Sequence, residues 1–242
     1  DLGFPAMLLT RGGTFVDPVD TKRAHVTSVN VGHVRELMWQ GRPVRTGIWK
    51  TPVDAPSVAL RGVNLDGDDQ ADRSVHGGVD KAVYSYAEED YRHWEHAEGV
   101  AWEPGLFGEN LTVRGVDLRE AVVGERWRVG SAVLEVAQPR LPCFKLGMRM
   151  GDDEFPRRFQ AVGRMGAYLR IIGEGVVASG DSIDVLSRPA HAVTLREMLH
   201  ALGNDERLLQ LLRAPELPGY WRRLADRGAA LPDANRPTLP PP

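Results

Sequence analysis

The chain's one cysteine sits in the stretch Gln138-Pro-Arg-Leu-Pro-Cys-Phe-Lys145. Pro139 and Pro142 stiffen the segment, and Arg140 and Lys145 flank the thiol of Cys143. Cationic neighbours favour the thiolate, which is the form that attacks an electrophile or ligates a metal. A lone cysteine is also a common core residue, small and apolar. The proline frame and the flanking charge favour a functional thiol.

A second stretch, Asp66-Gly-Asp-Asp-Gln-Ala-Asp-Arg-Ser-Val-His-Gly-Gly-Val-Asp-Lys81, is acidic at its start and glycine-rich near its end. Its acids lack the spacing and the terminal bidentate Glu of a calcium loop. His76-Gly77-Gly78 reads as a tight turn whose N–H groups could cradle an anion, with Arg73 and Lys81 in support. An ordinary glycine-rich loop with a solvated histidine gives the same pattern. Gly105-Leu-Phe-Gly-Glu-Asn-Leu111 offers a carboxylate and an amide just before a strand, and Ile48-Trp-Lys-Thr-Pro-Val53 offers Lys50. His93 and His96 lack the spacing of a zincin, and the chain has no P-loop, dinucleotide fingerprint or nucleophile-elbow serine.

Composition limits what these residues can serve. The 242 residues are 42% hydrophobic and 26% charged, with a net charge of −3. Those values suit a soluble globular chain. The charge argues against nucleic-acid binding, and no apolar run reaches the ~20 residues needed to cross a bilayer. One cysteine excludes internal disulfides and any site built from several thiolates. Residues 1–10 are too short and too poor in basic residues for a signal peptide, so the expected compartment is the cytoplasm. Only four of the 30 basic residues are lysines, at positions 22, 50, 81 and 145. Each is notable, because a flexible ammonium and a planar guanidinium do different work.

The elements that must position these groups are mostly short strands. Apolar, β-branched runs of this kind occupy residues 26–31, 58–60, 82–86, 111–113, 126–129, 132–136, 167–172 and 182–186, bounded by Gly, Asp or Pro. Gly130-Ser131 is a two-residue hairpin loop of type II′. Glu88-Glu89-Asp90 opens one helix, with Tyr91 and Trp94 on one face. This pattern predicts a β-barrel or sandwich over residues 24–188, after a loosely ordered leader at 1–23.

Beyond residue 188 the period turns helical. Thr194 and Glu197 form a capping box, and Leu195, Met198, Leu199 and Leu202 make one stripe. Three short helices are predicted over 189–230, then a proline-rich mobile tail at 231–242. Residues 191–230 carry six arginines against five acids, too little charge to grip a phosphate backbone. So apolar a module must dock, on its own barrel or on a second copy of the chain, and a homodimer through these helices is the expectation.

Five segments then fall in order: Lys50-Thr-Pro-Val53, Asp68-Asp-Gln-Ala-Asp72, His76-Gly-Gly-Val-Asp-Lys-Ala-Val83, Phe107-Gly-Glu-Asn-Leu111 and Pro139-Arg-Leu-Pro-Cys143. Together they resemble the MOSC domain, the C-terminal part of molybdenum cofactor sulfurase. The resemblance covers about residues 24–188 and is nearest the standalone bacterial YiiM-type members, whose three-helix extension the segment after Ser187 resembles. It implies a mainly β fold, a closed MOSC-type β-barrel that binds the molybdenum cofactor. Carried over by position, Cys143 is the catalytic thiolate and metal ligand, and Lys50, Arg73, His76, Asn110 and Arg140 surround the cofactor. The implied reaction is two-electron reduction of N-hydroxylated compounds, N-hydroxylated nucleobases among them. A chain without an iron–sulfur relay or a flavin or nicotinamide fingerprint needs a separate electron-donating reductase. A non-catalytic carrier of the cofactor, or of a sulfur atom on Cys143, would need the same pocket, so the sequence leaves both readings open.

Overall fold

The computed structural model describes residues 23–71, 77–99 and 101–230. Strand β1 (His25–Val31) leads into a hairpin, β2 (Arg35–Trp39) and β3 (Arg42–Thr46), followed by β4 (Thr51–Pro52), β5 (Val58–Arg61) and β6 (Asn64–Leu65). A 3₁₀ turn at Val79–Lys81 precedes β7 (Val83–Ala87), α1 (Glu88–Glu98) and β8 (Leu111–Arg114). Then come β9 (Arg126–Val129), β10 (Ala132–Pro139), α2 (Phe144–Met150), α3 (Phe155–Val162), β11 (Ala167–Gly173), β12 (Gly175–Val177) and β13 (Ile183–Ser187). Helices α4 (Leu195–Ala201), α5 (Asp205–Leu211) and α6 (Gly219–Ala230) complete the described chain.

The closed, mainly β barrel expected from the sequence does not form. Eight strands make an open sheet in the order β13-β9-β10-β11-β7-β8-β1-β4. Strands β12, β5 and β6 form a separate sheet, and β2 with β3 a third. With six α-helices among the described residues, the fold is mixed α/β. Alternation of apolar and polar residues specifies strands and their buried faces, but closure demands a ladder between the first and last strands with matched tilt and shear. Here β1 meets the residue before β13 through an isolated bridge, His25 to Ser182, and no ladder joins the two strands.

The strand pairs are antiparallel except β7 with β8, whose parallel register needs a crossover, and α1 supplies it. Gly130 turns the β9–β10 hairpin at φ +58°, a value that costs glycine nothing. The β2–β3 hairpin turns at Gln40 (φ +49°) and Gly41 (φ +75°). That is the backbone of a type I′ loop, usually announced by Asn-Gly or Asp-Gly.

Two cores hold the elements together. One lies against the large sheet and includes Trp127, Leu134, Leu195, Met198, Leu208 and Trp221, so the C-terminal helices pack on their own chain. The other is aromatic, with Trp94, Phe107, Phe155 and Phe159 almost wholly buried between α1, α3 and the 107–110 loop. Each such side chain contributes roughly 1.5–3 kcal/mol by burial. The Tyr86 and Phe107 rings add a close pair, 4.4 Å between centroids. The Thr194 hydroxyl accepts the Glu197 N–H at 3.1 Å, as a capping box requires. The Glu197 carboxylate instead holds Arg213 at 2.7 and 2.8 Å.

Candidate active site

Strand β10 ends at Pro139 and delivers Arg140 to the floor of a cleft; Cys143 follows as the residue that opens α2. The cleft is walled by the 46–50 loop, the 68–71 segment, the 107–110 loop and the paired tyrosines of β7 and β11. It brings together Lys50, Asn110, Arg140 and Cys143. Arg73 and His76 lie outside the described residues.

Arg140 is the unusual member, being only 5% exposed. Its guanidinium stands over the Tyr84 and Phe159 rings, 5.5 and 5.6 Å from their centroids, on the same cleft as Tyr168. Its Nη1 is buried without a hydrogen-bond partner, and no carboxylate of the described residues pairs with it. A buried cation without a counter-ion is costly, and an anion in the cleft would relieve that cost. Tyr84 lies directly opposite Tyr168 in the β7–β11 register, with ring centroids 5.2 Å apart. Burial pushes both phenols upward, against the opposing pull of Arg140, so both keep their protons at neutral pH. Cys143 is partly buried, with Lys145 and Lys81 on the same cleft. Burial lowers the Lys81 ammonium from its ordinary value, opposed by Asp80 and Cys143.

Lys50 is held differently. It is 8% exposed and ion-paired with the buried Asp68. Asp68 also accepts the Gly32 N–H at 2.9 Å and the Asn110 side-chain amide at 3.0 Å. Asn110 in turn accepts the Tyr84 N–H at 3.1 Å through Oδ1. Asn110 therefore orders the cleft wall, and Lys50 reaches it partly neutralised. Burial lowers the Lys50 ammonium, with Asp68, Glu109 and Asp69 opposing the shift.

Asp68, Tyr84 and Tyr168 are site residues that motif reading did not assign. Asp68 stands in an acid-rich run that resembles a solvated loop. The tyrosines resemble ordinary strand residues, and only the cross-strand register brings them together.

Among the described residues no three His, Cys, Asp or Glu side chains converge on a metal position. A metal at Cys143 would need ligands beyond these, such as a cofactor can bring. The donor set fits such a group: a soft thiol for a soft metal, and an unsatisfied guanidinium with lysines for a phosphate. No helix of the described residues is long and apolar enough to cross a membrane.

Comparison with known proteins places the chain in a family. Residues 72–184 match the MOSC domain. The chain is 36% identical over 205 residues to the uncharacterized protein YflK of Bacillus subtilis (strain 168), covering 83% of this chain and 92% of that one. It is 33% identical over 153 residues to a protein of Gibberella moniliformis named Reductase, covering 62% of this chain and 27% of that longer one. The crystal structure of YiiM from Geobacillus stearothermophilus superposes with a TM-score of 0.70 at 28% identity, covering 86% of this chain and all of that one. The chain belongs to the MOSC domain family, a molybdenum cofactor-binding family.

Proposed function

We propose that the protein is an oxidoreductase that holds the molybdenum cofactor in this cleft, with Cys143 as thiolate ligand, and reduces N-hydroxylated small molecules. One observation carries the reading: Arg140, buried beside the chain's single thiol, has an unpaired Nη1 and no carboxylate partner among the described residues. The likeness to a segment of a fungal protein named a reductase supports redox chemistry.

The bound cofactor would supply a metal able to change oxidation state by two electrons. Arg140 and the cleft lysines would bind the cofactor's anionic groups, with Arg73 and His76 completing the set. Asp68 fixes Lys50, and Asn110 fixes the wall between Tyr84 and Asp68. Tyr168 keeps its proton and presents a neutral hydroxyl to Arg140, so charge on the floor stays positive. In the overall reaction an N–OH group takes up two electrons and two protons, the N–O bond breaks, and its oxygen leaves as water. The electrons come from a separate reductase protein.

The test is metal analysis of protein produced in a host that makes the cofactor, followed by assay of an N-hydroxylated base with an artificial dye reductant. Bound molybdenum and appearance of the amine are the expected results, with both lost in Cys143→Ser. Metal retained without turnover would favour the carrier reading. Wild-type protein that never acquires molybdenum would overturn the proposal.

A further inference from the structure

The C-terminal helices reach residues next to the cleft through two polar links. The Trp221 indole of α6 is fully buried and donates its N–H to the Gln138 side-chain oxygen at 2.9 Å. The Gln138 amide donates onward to the Asp80 carbonyl at 3.3 Å. Gln138 lies two residues before Arg140, and Asp80 directly precedes Lys81. A second link runs parallel. Arg170 donates to Asp80 Oδ1 at 2.7 Å, to Glu135 Oε1 at 2.7 Å, and to the Glu216 carbonyl at 2.9 Å.

These bonds converge on the turn that presents Lys81 and on the end of β10 that presents Arg140. The Glu216–Trp221 segment is therefore bonded to residues that neighbour both Lys81 and Arg140. Gln138 also stands opposite Tyr168 in the β10–β11 register, after a bulge that follows Val136. A bulge leaves local strand direction underdetermined by the ladder. A side-chain bond from outside the sheet can then set it.

We infer that Trp221 and Arg170 are positioning residues: they tie α6 and the segment before it to the Lys81 turn and the Gln138–Arg140 corner, and so set the cationic character of the cleft beside Cys143. This inference rests on the reading of the cleft as an anion site next to a reactive thiol. It assigns the C-terminal helices a role in the site rather than in stability alone.

The cofactor-free full-length protein can test it without turnover. Cys143 is alkylated at one pH by neutral iodoacetamide and by anionic iodoacetate. Both reagents need the same thiolate, so the ratio of their rates reports the local field and cancels the thiolate fraction. Trp221→Phe keeps a buried ring but loses the donor, and Gln138→Met removes the other side of the same link. Each is expected to lower the iodoacetate-to-iodoacetamide ratio about threefold, the effect of moving one charge by ~1 Å near the reagent at an effective dielectric of ~20. The double variant is expected to fall no further, because both changes break one path. Arg170→Lys, which keeps the charge but loses the three-way geometry, is expected to act in the same direction.

Arg140→Met separates the two readings. If it leaves the ratio unchanged, the cationic cleft itself is wrong. If it lowers the ratio while Trp221→Phe, Gln138→Met and Arg170→Lys do not, the positioning role is refuted and the cleft reading stands.

Discussion

The Arg140 guanidinium lies 5.5 Å from the centroid of the Tyr84 ring, where one would look for a carboxylate. A desolvated cation over an aromatic face gains about 2 kcal/mol, less than the several kcal/mol that its desolvation costs. The arrangement sacrifices stability for a charge held ready. Arg140→Met should therefore fold as well as the wild type or better by about 1–3 kcal/mol, since a buried charge with no carboxylate partner among the described residues is replaced by an apolar chain. The same variant should lose molybdenum on purification. Urea midpoints and metal content measured together check this, and a destabilised variant would show that Arg140 is mainly structural.

Asp68 is the counterpart, a buried carboxylate that does have its cation. Asp68→Asn leaves the Lys50 ammonium buried without its partner and sets an amide N–H₂ among groups that already donate. A loss of roughly 3–5 kcal/mol at neutral pH is expected. Burial already lowers the Lys50 pKa, and losing Asp68 lowers it further. Between that depressed value and 10.5 the unfolded chain binds more protons than the folded one, so the variant should regain stability as pH rises. Unfolding midpoints at pH 7, 8 and 9 would show the deficit shrinking; a constant deficit would mean that the charge is not its cause.

How far the sequence could lead depended on what kind of information each feature needs. Cys143 stood out through its proline frame and flanking cations, whereas Lys50, Asn110 and Arg140 were assigned only through the resemblance of five ordered motifs; one cleft brings the four together. The longer strands were legible as short β-branched runs bounded by Gly, Asp or Pro, while short ones such as β4 (Thr51–Pro52) and β6 (Asn64–Leu65) were not. Nor was sheet closure, because a bridge such as His25 to Ser182 depends on approach between distant segments. The β2–β3 hairpin escaped notice because Gln40, not Asn or Asp, precedes Gly41. Helix α2 carries Gly147 at its centre, a poor helix former, where an added Cβ would stand 2.8 Å from the Asp152 carbonyl. Packing chose that glycine, and packing is invisible in a local window.

Glu109 offers a test that does not involve the cofactor. It is completely buried; one oxygen accepts from the Tyr91 hydroxyl at 2.7 Å, the Gly105 N–H at 2.7 Å and the Thr112 hydroxyl at 2.9 Å, while the other has no partner. Burial raises its pKa despite these donors. The folded state thus holds this proton to higher pH than the unfolded chain, whose ordinary value is 4.5. Its contribution is complete below pH 4.5 and is lost as pH climbs through the raised value. Glu109→Gln keeps an acceptor for the three donors and cannot ionise. The stability difference, variant minus wild type, should grow with pH above 4.5, and a difference independent of pH would contradict the assignment.

Gly105 also packs tightly against the backbone of the segment that carries Lys50. Its φ is +88°, and a Cβ there would stand 2.6 Å from the Lys50 carbonyl oxygen. Gly99 supplies the control, with φ +72° and nothing within 4 Å of an added Cβ. Gly99→Ala should cost about 1 kcal/mol, the penalty of a left-handed alanine. Gly105→Ala carries a similar strain and also collides with a backbone atom that cannot rotate away, so a total of roughly 2–4 kcal/mol is expected. The collision falls on the loop that carries Lys50, whereas the Gly99 change ends α1 away from the cleft. Gly105→Ala should therefore alter the rate of Cys143 alkylation by iodoacetate, and Gly99→Ala should not. Equal stability losses with unchanged alkylation in both variants would show that the close approach of Gly105 to Lys50 has no influence on the site.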